Sequence, residues 1–213
     1  CYQRLINRSQ QIFGDGNNPN IIMYQPNLVQ IKAAISKRDW ALVSDIILSV
    51  ISELEKLNID CVAIPVNTIH YAIDTIIAGS HIFVFNMLEI VSRYAKEQGY
   101  KKLLILGTKE TTDGLYSDIL AKHGIEEMLP NKQDRADLHA IIFDYLVTMH
   151  NLDKAQSMLE RMVKKYEKNC DAVALACTEL PLIMNNANCY LPTIDSTELL
   201  ADAIISYIEA GEN

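Results

Sequence analysis

Two apolar runs end in short polar clusters whose side chains could bind and transform a small ligand. The first cluster closes residues 62–70 (VAIPVNTIH) and the second closes residues 172–181 (AVALACTELP). Asn and Thr side chains offer neutral hydrogen-bond donors, Cys177 offers a thiol that reacts as a thiolate, and His70 could act as an acid or a base. This combination of donors and proton-transfer groups suits a small carboxylate ligand.

Cys177 is the residue with the most specific chemistry. It stands at the exit of an apolar run and just before residues 178–181 (TELP), where we expect a helix to begin. A helix N-terminus lowers the pKa of a thiol, so this position predicts a reactive cysteine. A free cysteine after a buried strand is also commonly a small apolar core residue, and the residues alone leave both interpretations open.

A third polar segment, residues 107–112 (GTKETT), follows another apolar run. In parallel α/β sheets, ligands bind at the carboxyl ends of strands, and backbone N–H groups at the following helix starts attract anions. The alternative is that the Thr and Asn side chains of these segments cap helices, which both residue types favour. Three such segments in repeated halves favour a ligand site.

Apolar runs of strand length alternate with segments of helical periodicity, which predicts an α/β fold with parallel sheets. The strand cores are apolar without alternation, as expected when both faces of a sheet are covered. The predicted strands are residues 21–24, 61–66, 82–85, 102–107, 172–177 and 190–194. The predicted helices are residues 40–57, 88–98, 115–122, 134–149, 152–166 and 197–210.

The chain contains an internal repeat. DCVAIPVNTIH begins at Asp60, DAVALACTELP begins at Asp171, and each is followed by an extended run and a helix. The alignment of the two segments places Val66 opposite Cys177. The second half opens with a strand and a polar loop, whereas the first half opens directly on a helix-like segment. We therefore expect an N-terminal strand to be missing from the first half.

Composition argues against several classes of partner. The chain has 213 residues, a net charge of −8 and no basic run interleaved with aromatic residues, so we expect no nucleic-acid partner. No apolar run approaches the roughly 18 residues that a membrane helix needs, so we expect no membrane association. No P-loop, G-x-S-x-G or zinc-ligand pattern occurs, and we expect no metal. Five cysteines without paired spacing indicate a reducing compartment, and we expect a cytoplasmic protein.

Three motifs in order resemble the aspartate/glutamate racemase superfamily, the cofactor-independent amino-acid racemases, along most of the chain. That family has a strand ending in Cys-Asn-Thr-x-His in one half and a strand ending in Cys-Thr-Glu-[Leu/Ile]-Pro in the other. Residues 66–70 (VNTIH) and 177–181 (CTELP) stand at those positions here. The intervening residues 102–126 are similar to the family's linking strand, GTxxT loop and helix.

The resemblance implies a fold of two similar parallel-sheet lobes with flanking helices, related by a pseudo-twofold axis and separated by a cleft. We assign residues 1–97 and 195–213 to the first lobe and residues 98–194 to the second. It also implies a homodimer and a mechanism without pyridoxal phosphate or another cofactor. In that mechanism one thiolate removes the α-proton of an amino acid, and a thiol on the opposite face returns a proton.

The resemblance further implies roles for individual residues. Cys177 is a catalytic thiol, whereas Val66 occupies the position of the other thiol and can neither donate nor accept a proton. The remaining assignments are substrate binding by Asn67, Thr68, Thr111 and Thr178, with His70 and Glu179 as candidate auxiliary residues.

The function expected from these residues is an amino-acid racemase acting on aspartate, glutamate or both, slow or one-sided because of Val66. Two alternatives stay open. One is a non-catalytic homologue that binds an amino acid or a dicarboxylate. The other is a different isomerase, or a decarboxylase, of the same superfamily that needs only one thiol.

Overall fold

Helices and parallel strands alternate along the chain in a computed structural model that describes residues 1–14 and 16–211. The predicted α/β class with parallel sheets and flanking helices is confirmed. The helices are α1 Tyr2–Phe13, α2 Leu28–Ser36, α3 Trp40–Glu55, α4 Ile73–Gly79, α5 Met87–Glu97, α6 Ser117–Lys122, α7 Lys132–Ala140, α8 Leu152–Lys164 and α9 Ser196–Gly211. The strands are β1 Cys61–Val62, β2 Phe83–Val84, β3 Lys102–Leu106, β4 Glu126–Met128, β5 Ala172–Leu175 and β6 Thr193–Asp195.

The chain forms two compact units. The first comprises residues 1–87 together with the chain from residue 200 onwards, and the second comprises residues 88–199. Helix α9 therefore begins in the second unit and continues into the first.

The first unit is built around the parallel pair β1 and β2, in which Cys61 is opposite Phe83 and Val62 is opposite Val84. Helix α3 presents a buried stripe to this core, because apolar residues recur at helical spacing along one of its faces. The core residues of this unit are Ile31, Ala34, Val43, Ile47, Ile51, Ile64, Ile69, Ala72, Ile73, Ile76 and Val84.

The second unit contains a four-stranded parallel sheet in the order β4-β3-β5-β6. The inner strand β5 is buried at all four positions, and the other inner strand, β3, is buried from Leu103 to Leu106. Helices α7 and α8 contribute Leu138, Leu159 and Val163 to the core that covers one face of this sheet. Leu103 and Ile105, whose side chains alternate with those of this core, are also fully buried. Both faces of the sheet are therefore covered, which explains why the strand sequences are apolar without alternation.

The chain contains twice the order of elements that the internal repeat predicts. Strand β1 is followed by a 3-10 helix at Asn67–Ala72, the parallel neighbour β2 and helix α5. Strand β5 is followed by a 3-10 helix at Leu180–Leu182, the parallel neighbour β6 and helix α9. The polar tips that contain Val66 and Cys177 thus occupy equivalent places, directly after the first strand of each pair.

Several local predictions were wrong. Residues 21–24 belong to no strand, and Met23 in this segment is 72% exposed. Strands β1 and β5 are shorter than predicted, and in β1 the chain leaves the sheet before Pro65, which has no N–H to donate to a ladder. The helix predicted over residues 134–149 is divided: α7 ends at Ala140, and a π-helix, Ile141–Leu146, follows it directly. Helix α2 and strand β4 were not predicted.

Candidate active site

The tip of β1 places Val66 in extended backbone immediately before the 3-10 helix Asn67–Ala72. The Val66 side chain is 43% exposed, whereas Asn67 is buried and Thr68 is half-buried. An aliphatic side chain at a polar strand tip gains little from burial when nearly half of its surface stays exposed. Its position therefore does not follow from packing in the core of the first unit.

His70 links this tip to the start of helix α5. The backbone N–H of Met87 donates to His70 Nε2 over 3.1 Å, so Nε2 carries no proton. His70 Nδ1 is then the protonated nitrogen and donates to the Val66 carbonyl over 3.0 Å. Because burial disfavours the imidazolium, the pKa of His70 is lowered to about 4. The ring is neutral and internally bonded, which favours a positioning role over acid–base catalysis.

The tip of β5 brings three of the predicted residues together. The Cys177 thiol donates to Glu179 Oε2 over 2.9 Å, and the Thr178 hydroxyl donates to the same oxygen over 2.8 Å. The Cys177 side chain is buried, and Glu179 is half-buried. One carboxylate thus holds both the thiol and the neighbouring hydroxyl at the carboxyl end of the sheet.

The pKa of Cys177 departs from the prediction made for it. Burial raises this pKa well above its ordinary value, and the hydrogen bond and negative charge of Glu179 raise it further. The backbone N–H groups of Glu179 and Thr178 lower it, but they do not compensate for the burial and the carboxylate. The expectation of a lowered thiol pKa was therefore wrong: only a short 3-10 helix follows, and an acidic side chain lies against the sulfur.

The loop after β3 packs tightly beside this tip. A Cβ on Gly107 would lie 2.8 Å from Thr111 Cγ2 and 2.9 Å from the Ala176 carbonyl oxygen, so only glycine fits at this position. Thr111 is buried, and its hydroxyl lies 3.3 Å from that of Thr108. Thr111 and Ala176, which precedes Cys177 in the chain, therefore both pack against Gly107.

Arg135, which no pattern in the sequence singles out, also contacts this loop. Its Nη1 donates to the Thr112 carbonyl over 3.2 Å. Arg135 lies far from residues 107–112 in the chain and belongs to no motif, so a contact between them could be found only from tertiary structure.

The described residues contain no group of three or more His, Cys, Asp or Glu side chains placed to hold a metal ion. Within residues 1–14 and 16–211, no helix is both long and apolar enough to cross a membrane.

Comparison with known proteins identifies the family. Residues 1–204 match the model of the Asp/Glu/hydantoin racemases. The chain belongs to this family. It is similar to the broad-specificity amino-acid racemase RacX of Bacillus subtilis (strain 168), with 26% identity over 157 residues, which are 72% of this chain and 67% of RacX.

Solved structures of racemases share the fold. PH1733, an aspartate racemase homologue from Pyrococcus horikoshii OT3, is 26% identical with a TM-score of 0.87, over 98% of this chain and 92% of that chain. A candidate Asp/Glu racemase from Yersinia pestis is 25% identical with a TM-score of 0.88, over 97% and 91% of the two chains. The aspartate racemase of Picrophilus torridus, at 23% identity and a TM-score of 0.77, covers 98% of this chain and 89% of its own and supports the fold alone.

Proposed function

We propose that this family member is an amino-acid racemase that acts on aspartate, glutamate or both without pyridoxal phosphate. The observation that carries the proposal is the hydrogen bond from the Cys177 thiol to Glu179 at the carboxyl end of β5. A thiol bonded to a carboxylate has a partner that can take its proton and return it. Cys177 is accordingly the acid–base group for the substrate α-proton, and Glu179 is its proton partner.

Proton transfer begins at the pair of Cys177 and Glu179. Glu179 takes the thiol proton, and the resulting thiolate of Cys177 removes the α-proton and leaves the electron pair on the substrate as an enolate-like carbanion. Because an amino-acid α-proton is far less acidic than a thiol, preorganised donors must stabilise that negative charge. Our candidates are the side chains of Asn67, Thr68, Thr111 and Thr178.

Val66 sets the expected stereochemical outcome. An isopropyl group neither accepts nor donates a proton, and both ring nitrogens of His70 are already bonded within the first unit. Water remains as the proton carrier on the face that Cys177 does not serve. We therefore expect exchange of the α-proton of one enantiomer to be much faster than inversion, so that racemisation is slow and asymmetric.

Two observations favour a second candidate, a homologue that binds an amino acid or a dicarboxylate without turning it over. Val66 removes one proton-transfer group, and the raised pKa of Cys177 keeps the other in its thiol form. In this alternative the same donors hold the ligand carboxylate, and Cys177 is a buried apolar residue.

Deuterium wash-in separates the candidates. The full-length protein is incubated in D₂O with each enantiomer of aspartate and glutamate, and α-deuteration, inversion and other products are followed by NMR and chiral chromatography. We expect deuteration of one enantiomer that Cys177→Ala abolishes and Cys189→Ala retains, since Cys189 is a half-buried thiol in the loop before β6. Wild-type protein that binds these amino acids without exchanging any of them supports the binding homologue. Loss of carbon dioxide or a new isomer would instead indicate a different one-thiol reaction.

A further inference from the structure

Arg135 lies at the edge of the second unit where its parallel strands end. Helix α7 begins at Lys132, shortly after β4 ends at Met128, so the start of this helix lies at the carboxyl edge of the sheet. Arg135 is in the first turns of α7 and is half-buried. Ligands of parallel α/β sheets bind along this same edge.

The guanidinium of Arg135 contacts the loop that carries Thr111. Nη1 of Arg135 donates over 3.2 Å to the carbonyl oxygen of Thr112, whose side chain is buried. The same loop packs against the Ala176 carbonyl through Gly107. Arg135 and Ala176, the residue before Cys177, therefore contact the same loop, residues 107–112.

Arg135 is a half-buried cation whose surroundings differ from those of Arg8 and Lys165. A guanidinium has five N–H donors, and the hydrogen bond to the neutral Thr112 carbonyl is the one that we find for Arg135 among the described residues. No described carboxylate pairs with it, whereas Arg8 pairs with Asp202 and Lys165 pairs with the buried Asp134. The chain carries a net charge of −8, so the absence of a counterion among the described residues does not reflect a shortage of acidic side chains. Partial burial of a cation without a counterion is unfavourable unless an anion binds there.

We propose that Arg135 is a specificity-determining residue that binds the second carboxylate of a dicarboxylic amino acid. The inference rests on the proposed function, since it places the reacting end of that substrate at Cys177. The planar fork of a guanidinium matches both oxygens of a carboxylate, and it discriminates against an amide of the same shape. Arg135 would thus select aspartate and glutamate over asparagine and glutamine.

The test measures binding to the full-length protein, so it does not depend on turnover. Dissociation constants for both enantiomers of aspartate, glutamate, asparagine and glutamine are measured by calorimetry or NMR titration. The variants are Arg135→Gln, Arg135→Lys and Lys132→Gln. Lys132→Gln removes one positive charge from an exposed position of the same helix and controls for net charge.

We expect Arg135→Gln to weaken the binding of aspartate and glutamate by roughly 10- to 100-fold, the usual effect of losing a charge-assisted hydrogen bond. Binding of the two amides should change less than twofold. Arg135→Lys keeps the positive charge but lacks the planar guanidinium, so its preference for dicarboxylates over amides should lie between those of wild type and Arg135→Gln. If Arg135→Gln does not fold, a reduced preference in Arg135→Lys tests the same role. Lys132→Gln should match wild type.

Two results overturn this inference while leaving the proposed function in place: an unchanged preference for the dicarboxylates in Arg135→Gln, or an equal loss for acids and amides. The second result would mean that Arg135 only positions the Thr112 loop. Failure of the wild-type protein to bind any of these amino acids contradicts the proposed function, and this inference with it.

Discussion

The thiol of Cys177 and the carboxylate of Glu179 are joined by a hydrogen bond of 2.9 Å. The two residues are separated by Thr178, whose hydroxyl donates to the same carboxylate oxygen. This arrangement stabilises the protonated thiol, and it places a proton acceptor at the sulfur. Reactivity at Cys177 therefore depends on the adjacent carboxylate as well as on the thiol itself.

Glu179→Gln should lower the pKa of Cys177. The substitution removes the negative charge that raises this pKa, while burial, which is the larger cause, remains and keeps it above the ordinary value. The pH dependence of alkylation by iodoacetamide, followed on the Cys177 peptide by mass spectrometry, should shift to lower pH. Glu53→Gln, on an exposed residue of α3, is the control and should leave the profile unchanged. An unaltered midpoint in Glu179→Gln would show that the carboxylate does not control the thiol.

Val66→Cys should restore a second proton-transfer group. If the new thiol reaches the substrate, exchange from the face that Cys177 does not serve should rise by about 10²-fold, a typical contribution of general acid–base catalysis. Inversion should then approach the rate of exchange, as measured by chiral chromatography beside deuterium wash-in. Val66→Ser, which is smaller and polar but lacks an acidic thiol, is the matched control. No gain in Val66→Cys, with the fold intact, would contradict the role assigned to position 66.

His70 should make the stability of the first unit sensitive to acid. Its pKa is about 4 in the folded protein and about 6.5 when unfolded, so the unfolded chain binds the additional proton between these values. The stability that this residue contributes is present above pH 6.5 and is lost as the pH falls through about 4. The expected loss in the free energy of unfolding is on the order of 3 kcal/mol, from about 1.4 kcal/mol per pKa unit.

Urea denaturation between pH 4 and pH 7 measures this effect. His70→Gln should be less stable than wild type at pH 7, and the difference should shrink towards pH 4. The control is His81→Gln, which changes an exposed histidine of the same unit and should follow the wild-type profile. A constant difference between His70→Gln and wild type over this range would show that His70 titrates normally.

Gly107→Ala should destabilise the second unit and displace Thr111. The added Cβ would approach the Ala176 carbonyl oxygen to 2.9 Å, and a backbone oxygen cannot move aside as a flexible side chain can. Overpacking of this kind costs about 1–3 kcal/mol. The free energy of unfolding in urea checks the effect, with Gly211→Ala as control because a Cβ there meets nothing within 4 Å. Equal stability of the two variants would contradict the tight contact at Gly107.

The sequence predicted the order of strands, polar tips and helices because apolar periodicity encodes local backbone conformation. Residues 21–24 show the limit of that reasoning. Four large apolar side chains in a row suggest a strand, yet a strand exists only where a neighbouring strand supplies hydrogen bonds, and none of the described strands pairs with this segment.

The sequence by itself determined that Val66 stands opposite Cys177 in the repeat and that Asn67, Thr68 and Thr178 follow the same kind of strand. Tertiary structure alone decided how these groups are ionised and held. The Glu179 carboxylate turns towards the thiol, and burial raises the pKa of Cys177 rather than lowering it. Arg135 reaches Thr112 from another element of the fold. Electrostatic energies depend on distance and desolvation, and both are set by packing between residues that the linear sequence does not place together.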